Sequence, residues 1–351
     1  MVTVYVDSVD TAGKTAFCAS MGRRLIRRGK RIGFFMPLKY STANGDTRSS
    51  IEFIKDALEL TDADDKIAPI TTTTQDLWRD LTEDTQTFIQ KTKKDFAGIA
   101  KNKDIMLVEG LGGMVIDNVS TLACYTVAEA LDGKVIIMLR YSPDLEPDLL
   151  SRVARELGGK LLGIIVNLVP ESRIDTVRQG ISDRFARAGI RVLGVLPEVR
   201  GLLGVTVAEL IDTLDGKVVI APESENVIVE NIMIGAMTMD SGRDYFYRKE
   251  KKAVIVRGDR ADMQLAALDT GTVCLVLTDN IKPLAPVLAR AREKNVPVIV
   301  SPRDTAGVIA DVEKAFSRSG FNNTGKLNEF EQLLEQYLDF SFINPLLNQV
   351  G

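Results

Sequence analysis

The strongest constraint on how this chain can fold is a glycine-containing junction close to its N-terminus. Residues 2–7 form an apolar run that predicts a β-strand, and residues 14–28 predict a helix. The segment between them, residues 8–15, reads SVDTAGKT. A turn that ends in Gly-Lys-Thr between a strand and a helix is the context that a phosphate-binding loop requires. The chain is therefore expected to contain an α/β domain that binds a nucleotide.

The residue types in this loop suit phosphate binding. Backbone N–H groups of the turn and of the helix N-terminus can converge on phosphate oxygens, and Gly13 lets the backbone pass close to them. Lys14 would bring a mobile positive charge to the β- and γ-phosphates, and the Thr15 hydroxyl would coordinate magnesium. The alternative is a chance Gly-Lys-Thr in an ordinary turn. The predicted nucleotide-binding residues are Ser8, which replaces the usual first glycine, Thr11, Ala12, Gly13, Lys14 and Thr15.

Short β-branched runs alternate with helical stretches over the first 216 residues. The runs are almost continuously apolar, as expected for strands that are buried on both faces of a parallel sheet. The alternation predicts an α/β fold with a doubly wound parallel sheet. The predicted strands cover residues 2–7, 31–35, 105–108, 135–139, 161–166 and 191–196.

The pattern restarts after Gly216. Predicted strands cover residues 218–221, 227–234, 253–256, 273–277 and 296–300, and predicted helices cover residues 262–268 and 284–294. This predicts a nucleotide-binding domain at residues 1–216 and a second, smaller α/β domain at residues 217–316. Residues 317–351 are expected to form a turn-rich loop, over residues 317–325, and a terminal helix, over residues 326–340, that docks on the body.

Composition excludes several kinds of chemistry. The chain of 351 residues has no histidine, which excludes Ser-His-Asp and Cys-His catalysis and histidine metal ligands. A formal net charge of −4 predicts no general attraction for nucleic acid, and no apolar run approaches the roughly 18 residues of a membrane span. The basic cluster within residues 23–31 is expected to face water and complement the helix dipole. Three isolated cysteines and the lack of a signal peptide predict a cytoplasmic protein.

Four more motifs follow the phosphate-binding loop in order. They are IGFFMP at residues 32–37, DIMLVEGLGG at residues 104–113, GIIVN at residues 163–167 and GVLPE at residues 194–198. With SVDTAGKT, these motifs resemble those of the dethiobiotin synthetases and the related ATP-dependent cobyrinate amidases. The resemblance covers about residues 1–215 and implies that ATP or ADP binds together with Mg²⁺.

The resemblance also implies roles for residues that follow the sheet strands. Magnesium would contact Asp46 and Glu109 as well as Thr15, and Lys14 and Glu109 would be the catalytic residues. The adenine pocket would be lined by Asn167, Pro197 and Glu198. On the residues alone, alternatives stay open. Glu109 could cap the glycine-rich turn after it, Asp46 could simply be solvated, and the asparagine could end a strand.

One departure from the family pattern bears on chemistry. The family has a lysine before the proline of the second strand, which by the resemblance handles the substrate carbamate or phosphate, whereas this chain has Met36 before Pro37. Methionine carries no charge and donates no hydrogen bond. Lys39 could substitute only if the chain turns at Pro37, because in a continuing strand it would point to the opposite face. Nucleotide binding is expected to remain, and dethiobiotin synthesis is not.

The second half of the chain contains GDRAD at residues 258–262. With residues 229–237, 277–280 and 296–300, this segment resembles the DRTGG domain over about residues 218–315. The GDRAD segment lies between a predicted strand and a helix, where parallel sheets bind small ligands, and Arg260 could hold an anion bidentately. The alternative is an internal Asp–Arg pair. The predicted ligand residues are Asp259, Arg260, Asp262 and Thr278.

Together, the two domains resemble the BioD-like N-terminal region of long phosphotransacetylases. This favours a regulatory protein that binds magnesium-ATP, hydrolyses it slowly and acts on the DRTGG domain, its small anionic ligand or a protein partner. The alternative is an ATP-dependent ligase that activates a small carboxylate or carbamate, and a weaker one is a phosphotransacetylase-associated subunit. The chain is not expected to be a phosphate acetyltransferase on its own. The resemblance, together with the apolar residues over 119–131 and in the terminal helix, predicts a homodimer, and the alternative is that these apolar residues are buried in the core of the monomer.

Overall fold

The computed structural model describes residues 1–10, 12–41, 46–223, 227–236, 244–318 and 324–347. Two predicted site features lie outside this description, namely Thr11 and the side chain of Asp46. The chain forms two compact units. The first comprises Met1–Glu198 together with Phe321–Gly351, and the second comprises Val199–Gly320.

Strands and helices are numbered along the chain. The strands are β1 (Val2–Ser8), β2 (Ile32–Phe35), β3 (Leu38–Tyr40), β4 (Ile70–Thr72), β5 (Ile105–Glu109), β6 (Lys134–Arg140), β7 (Leu161–Val169), β8 (Val192–Pro197), β9 (Val205–Thr206), β10 (Lys217–Ile220), β11 (Ile228–Val229), β12 (Asn231–Ile234), β13 (Lys252–Arg257), β14 (Thr272–Thr278) and β15 (Val298–Val300). The helices with described bounds are α1 (Lys14–Arg27), α2 (Asp46–Leu58), α3 (Asp64–Ile67), α4 (Thr74–Thr82), α5 (Thr85–Ile99), α6 (Asn118–Ala130), α7 (Asp148–Leu157), α8 (Ile174–Arg187), α9 (Arg200–Leu203), α10 (Val207–Thr213), α11 (Ala261–Leu268), α12 (Ala285–Glu293), α13 (Thr305–Arg318), α14 (Thr324–Tyr337) and α15 (Asn344–Leu347).

The first unit is built around a six-stranded sheet with the order β2-β5-β1-β6-β7-β8. All five neighbouring pairs are parallel. Every residue of β1, β2 and β5 is buried, as expected for strands covered on both faces. The predicted doubly wound parallel sheet is confirmed, and β1, which leads into the phosphate-binding loop, lies near its centre.

A small parallel sheet of β3 and β4 interrupts this pattern. β2 ends at Phe35, and the next residue, Met36, donates its N–H to the Ile67 carbonyl at 2.8 Å. Pro37 has no N–H to donate. β3 then pairs with β4, so that Lys39 lies opposite Thr71. The chain therefore turns at Pro37, and Lys39 does not continue the second strand of the main sheet.

The C-terminal helix α14 packs on α1 within the first unit, as expected for a docked terminal helix. Arg23 Nε lies 3.2 Å from Glu331 Oε1, and Arg24 Nη1 lies 2.6 Å from Glu335 Oε1. Arg27 also pairs with Glu331. The expectation that the basic cluster only faces water is wrong for these three arginines, because acidic side chains of α14 pair with them.

The second unit has a five-stranded sheet with the order β10-β15-β14-β13-β12. β12 to β15 run parallel to one another, and β10 is antiparallel to β15. One hydrophobic cluster includes Val254, Leu275, Val298 and residues of α11 and α12. A second cluster includes Ile255, Val276, Ile299 and residues of α10 and α13. Alternate residues of these strands therefore pack into two hydrophobic cores, one on each face of the sheet, which is the arrangement of a second α/β domain.

The units divide at Glu198 and Val199, whereas the sequence pattern placed the division near residue 216. Residues 199–216 belong to the second unit because Val205, Val207, Leu210 and Leu214 are buried in its second core cluster. The apolar spacing of this segment does not reveal which of the two cores receives it.

Two finer predictions are wrong. Residues 227–234 were expected to form one strand, but β11 pairs with β9 while β12 pairs with β13 in the main sheet of the unit. The ends of the expected loop over residues 317–325 are helical, because α13 extends to Arg318 and α14 begins at Thr324, and residues 319–323 lie outside the described ranges. In the first case the local sequence pattern does not show that the pairing partner changes. In the second it does not show where the helices end.

Candidate functional site

The phosphate-binding loop leaves the carboxyl end of β1 and enters α1. Gly13 precedes the helix with φ +88°, a backbone conformation that favours glycine. A Cβ at this position would lie 3.3 Å from Asn167 Nδ2, so space is also tight. The Ser8 hydroxyl donates to the Asp10 carbonyl at 2.6 Å and thereby closes the start of the loop with its side chain.

The side chain of Lys14 contacts the phosphate-binding loop and lies beside the turn after β5. Its Nζ donates to Ser8 Oγ at 3.0 Å. A Cβ at Gly112, where φ is +83°, would lie 2.6 Å from the same Nζ. The ammonium group therefore rests between the phosphate-binding loop and the glycine-rich turn after β5. This is the position from which a lysine can reach a phosphate held by the loop.

Glu109 is buried at the end of β5 and accepts a hydrogen bond from Thr15 Oγ1 at 2.8 Å. The structure thus brings together the hydroxyl and the carboxylate that the sequence assigned to magnesium. Glu109 Oε2 is buried and has no hydrogen-bond partner among the residues that the structure describes. Burial raises the pKa of Glu109, while the Lys14 ammonium and the Thr15 hydroxyl act in the opposite direction. A buried oxygen without a partner beside a threonine hydroxyl fits Mg²⁺, which prefers oxygen ligands.

Asp7 is a site residue that sequence reasoning missed. Its side chain is fully buried, and Oδ1 accepts hydrogen bonds from the Ser8 and Gly112 backbone N–H groups, each at 2.8 Å. Burial raises the pKa of Asp7, and the Lys14 charge partly offsets this. The available signal was a carboxylate in an otherwise apolar strand, directly before the loop.

Of the three predicted adenine-pocket residues, Asn167 contacts the phosphate-binding loop. Its Nδ2 donates to the Ala12 carbonyl at 3.0 Å, and its Oδ1 accepts from the Leu168 N–H at 2.8 Å. Pro197 ends β8 opposite Val169, and the Glu198 N–H donates to the Val169 carbonyl at 2.7 Å. The Glu198 side chain is exposed. The three residues lie at the carboxyl ends of neighbouring strands, and the side chain of Asn167 holds the phosphate-binding loop through its hydrogen bond to Ala12.

A cavity of about 320 Å³ lies beside the phosphate-binding loop. The residues that line it include Lys14, Thr15 and Glu109 together with Met36, Lys39 and Tyr40. The turn at Pro37 therefore places Lys39 in the same cavity as Met36, which occupies the position of the family lysine. The cavity combines two lysines with an apolar surface.

In the second unit, the predicted ligand residues make internal pairs. Arg260 donates from Nε and Nη2 to Asp262 at 3.0 and 2.9 Å, and Arg257 donates to Asp259 at 2.7 Å. The Arg260 hydrogen bonds lower the pKa of Asp262. Thr278 is buried and donates to Asp279 Oδ2 at 2.8 Å. The geometry favours the alternative that the acidic and basic side chains of this loop pair with each other.

Comparison with known families follows the division of the fold. Residues 2–206 match the family model of the AAA domain, which covers more than half of the chain. The chain belongs to this AAA domain family. Residues 209–315 of this AAA domain protein match the DRTGG domain. The two matches confirm the resemblance to the BioD-like phosphotransacetylase N-terminal family that the motifs predicted.

A curated relative is the phosphate acetyltransferase of Nitrosomonas europaea, which is 23% identical over 279 residues. The alignment covers 76% of this AAA domain protein but only 39% of the relative. Among solved structures, the MinD cell division protein of Aquifex aeolicus is 19% identical with a TM-score of 0.37, covering 58% of this chain and 84% of that one. The CBS and DRTGG regulatory region of Clostridium perfringens pyrophosphatase, complexed with diadenosine tetraphosphate, is 16% identical with a TM-score of 0.30, covering 51% and 73%.

Within the described ranges, no helix of this AAA domain protein is both long enough and apolar enough to cross a bilayer.

Proposed function

We propose that this chain binds ATP or ADP with Mg²⁺ at the phosphate-binding loop, hydrolyses ATP slowly and acts as a regulatory protein. The observation that carries the proposal is the meeting of Lys14, Thr15 and Glu109 at the carboxyl edge of the parallel sheet. Glu109 Oε2 is buried there and is unpartnered within the described part of the chain. Ligands of open α/β sheets bind at this edge. The helix N-terminus behind the loop adds N–H groups and a favourable dipole for phosphate.

Thr15 and Glu109 are the residues that would hold the metal, directly or through water, and Asp46 at the start of α2 is a proposed further contact. When bound, magnesium would neutralise charge on the β- and γ-phosphates. Lys14 would exchange its hydrogen bond with Ser8 for one with a phosphate oxygen. Backbone N–H groups of residues 11–13 would hold the remaining phosphate oxygens.

For the base, we propose a pocket formed by Asn167, Pro197 and Glu198. Both polar atoms of the Asn167 amide are engaged by the backbone in this structure. The amide nitrogen carries a second N–H and the oxygen a second lone pair, so Asn167 could contact an adenine edge while it still donates to Ala12. Asn167 would then contact both the phosphate-binding loop and the base, which links the two ends of the nucleotide site.

Replacement of Glu109 by glutamine tests the catalytic part of the proposal. We expect Glu109→Gln to lower the ATP hydrolysis rate by at least about tenfold, which corresponds to roughly 1.4 kcal/mol of activation free energy. Nucleotide affinity should change less, because the loop and Lys14 stay in place. The measurements are single-turnover hydrolysis and nucleotide titration in parallel.

The matched control is Glu83→Gln, which removes an exposed carboxylate at the end of α4. If Glu109→Gln hydrolyses ATP at the same rate as the wild-type protein and this control, Glu109 only caps its turn, and the catalytic role is refuted.

A second candidate function is supported by the cavity beside the loop. Lys39 lines it together with Lys14 and Glu109 and could hold the carboxylate or carbamate of a small acid next to the γ-phosphate. A ligase that activates such an acid as an acyl phosphate would use this arrangement. ATP turnover that one small carboxylic acid stimulates, and that falls in Lys39→Met but not in the exposed Lys66→Met, would favour the ligase over the regulator.

We propose that a small anion or a protein partner binds the second unit at Asp259, Arg260, Asp262 and Thr278. Arg260 would release Asp262 in order to bind it. Alignment with a phosphate acetyltransferase supports association with such an enzyme as a weaker alternative.

We also propose a homodimer in the cytoplasm, where the three buried free cysteines would stay reduced. Sedimentation equilibrium tests the dimer against a 38.5 kDa monomer.

A further inference from the structure

A buried carboxylate underlies both loops of the nucleotide site. Asp7 follows apolar residues of β1, and its side chain is fully inaccessible to solvent. An isolated buried carboxylate is costly, so its position calls for polar partners. Tyr5, two residues earlier and therefore on the same face of the strand, donates its hydroxyl to Asp7 Oδ2 at 3.3 Å.

The other carboxylate oxygen joins two separate parts of the chain. Asp7 Oδ1 accepts the N–H of Ser8, the first residue of the phosphate-binding loop, and the N–H of Gly112, in the turn after Glu109. Both distances are 2.8 Å. Gly110 in the same turn has no side chain, and a Cβ there would lie 2.3 Å from Asp7 Oδ2. The turn after β5 is thus shaped around this carboxylate.

Four titratable groups face Asp7 from the surrounding elements. They are Tyr5 on β1, Lys14 on α1, Glu109 on β5 and Cys124 on α6. Burial, followed by the Asp7 charge, raises the pKa values of the Tyr5 hydroxyl and the Cys124 thiol well above their usual range. Both groups therefore stay protonated, and the Lys14 ammonium is the one positive charge among these four groups.

We propose that Asp7 is a positioning residue that couples the phosphate-binding loop to residues 110–113. This inference rests on the proposed function: nucleotide binding at the loop changes the position of residues 110–113 through Asp7. Lys14 leaves the neighbourhood of Asp7 and Gly112 when it turns to a phosphate, and its hydrogen bond to Ser8 Oγ is then lost. Because one oxygen holds both the Ser8 and Gly112 N–H groups, a shift of either loop is passed to the other. The turn so moved directly follows Glu109.

The experiment measures hydrogen exchange at the Ser8 and Gly112 amides, with and without magnesium-ADP, in four proteins. They are the wild type, Asp7→Ala, Asp7→Asn and Tyr5→Phe. In Asp7→Ala, we expect exchange at Gly112 to be at least about tenfold faster without nucleotide, since the amide loses its acceptor. Protection of residues 110–113 on adding magnesium-ADP should be lost in the same variant.

Asp7→Asn keeps an oxygen acceptor and removes the charge, so it should restore both readouts to within about threefold of the wild type. Tyr5→Phe removes only the contact to Oδ2 and should behave like the wild type. A purely structural role for Asp7 would alter stability but leave the nucleotide-dependent change at residues 110–113 intact.

The possible results separate the role of Asp7 from nucleotide binding itself. Wild-type exchange at Gly112 in folded Asp7→Ala, or failure of Asp7→Asn to restore it, would overturn the role of Asp7 while leaving nucleotide binding untouched. If Asp7→Ala does not fold, the asparagine variant alone decides by the same criterion. A wild-type protein that binds no magnesium-ADP would instead overturn the proposed function and, with it, the transmitted signal.

Discussion

Gly112 gives a way to separate backbone strain from contact with the phosphate-binding lysine. Its φ is +83°, and a Cβ would lie 2.6 Å from Lys14 Nζ. Gly29, at the end of α1, has a similar φ of +75°, and a Cβ there would meet no atom of the described residues within 4 Å. Alanine at either position should cost on the order of 1 kcal/mol of stability, because the left-handed region is unfavourable for a residue with a Cβ.

We therefore predict that Gly112→Ala and Gly29→Ala lower the free energy of unfolding similarly, while only Gly112→Ala changes nucleotide affinity, because its Cβ would displace the resting Lys14 ammonium. Denaturant unfolding and nucleotide titration of both variants check this. Equal nucleotide affinities in the two variants would show that the Lys14 ammonium does not depend on the space above Gly112.

Single residues also show how far the sequence can predict a site. The spacing of Gly13, Lys14 and Thr15 identifies the loop because the motif is local. The contact of Thr15 with Glu109 joins residues 94 apart in the chain, and only the family pattern suggested it. Asp7 escaped notice because its two backbone donors, one of them 105 residues away, become visible only when the sheet is assembled.

At the scale of whole elements, α1 is held at both ends. Its N-terminus carries Lys14 and Thr15, and its C-terminal half pairs with α14. Glu331 on α14 contacts both Arg23 and Arg27, and its side chain is only 11% exposed. The Arg24 guanidinium also lies 3.8 Å from the centre of the Phe340 ring.

We predict that Glu331→Gln lowers the free energy of unfolding by about 1 kcal/mol, because two arginines lose their charged partner. The loss should shrink at high salt, which screens partly exposed pairs. Thermal unfolding at low and high ionic strength is the measurement, with the exposed Glu329→Gln on the same helix as the control. Equal melting temperatures for both variants at low salt would contradict the role of this pair.

The long strands and α1 could be predicted because apolar runs and loop chemistry are local signals. β3, β4 and β9 were missed since each has three residues or fewer, which is too short for a pattern. The turn at Pro37 was predicted only as a condition for Lys39 to reach the site. It depends on the Met36 hydrogen bond to Ile67, a long-range contact that no local pattern contains.

At the scale of the whole molecule, the chain leaves the first unit after Glu198, forms the second unit and returns to the first as α14. The second unit is therefore inserted in the sequence of the first and is connected to it twice. The sequence pattern restarts at residue 217, but α10 is buried in the second core. The boundary was misplaced because a local pattern does not show which core an amphipathic helix joins.

A regulatory function requires that nucleotide binding changes the second unit. We predict that magnesium-ATP alters hydrogen exchange within residues 252–278, and that Lys14→Ala abolishes this change. By linkage, a ligand of the second unit would change nucleotide affinity by the same factor. Changes confined to the first unit would leave the second unit without a regulated role and would remove the main support for the regulatory proposal.

The central claim is that Lys14 and its loop form a magnesium-nucleotide site, and calorimetric titration tests it most directly. Magnesium-ATP or a slowly hydrolysed analogue is titrated into the wild-type protein, Lys14→Ala and the exposed control Lys101→Ala. We predict saturable binding by the wild type and the control, and affinity at least about tenfold weaker in Lys14→Ala, a difference of roughly 1.4 kcal/mol. The same affinity in Lys14→Ala as in the wild type, or no binding by the wild type, would contradict the claim.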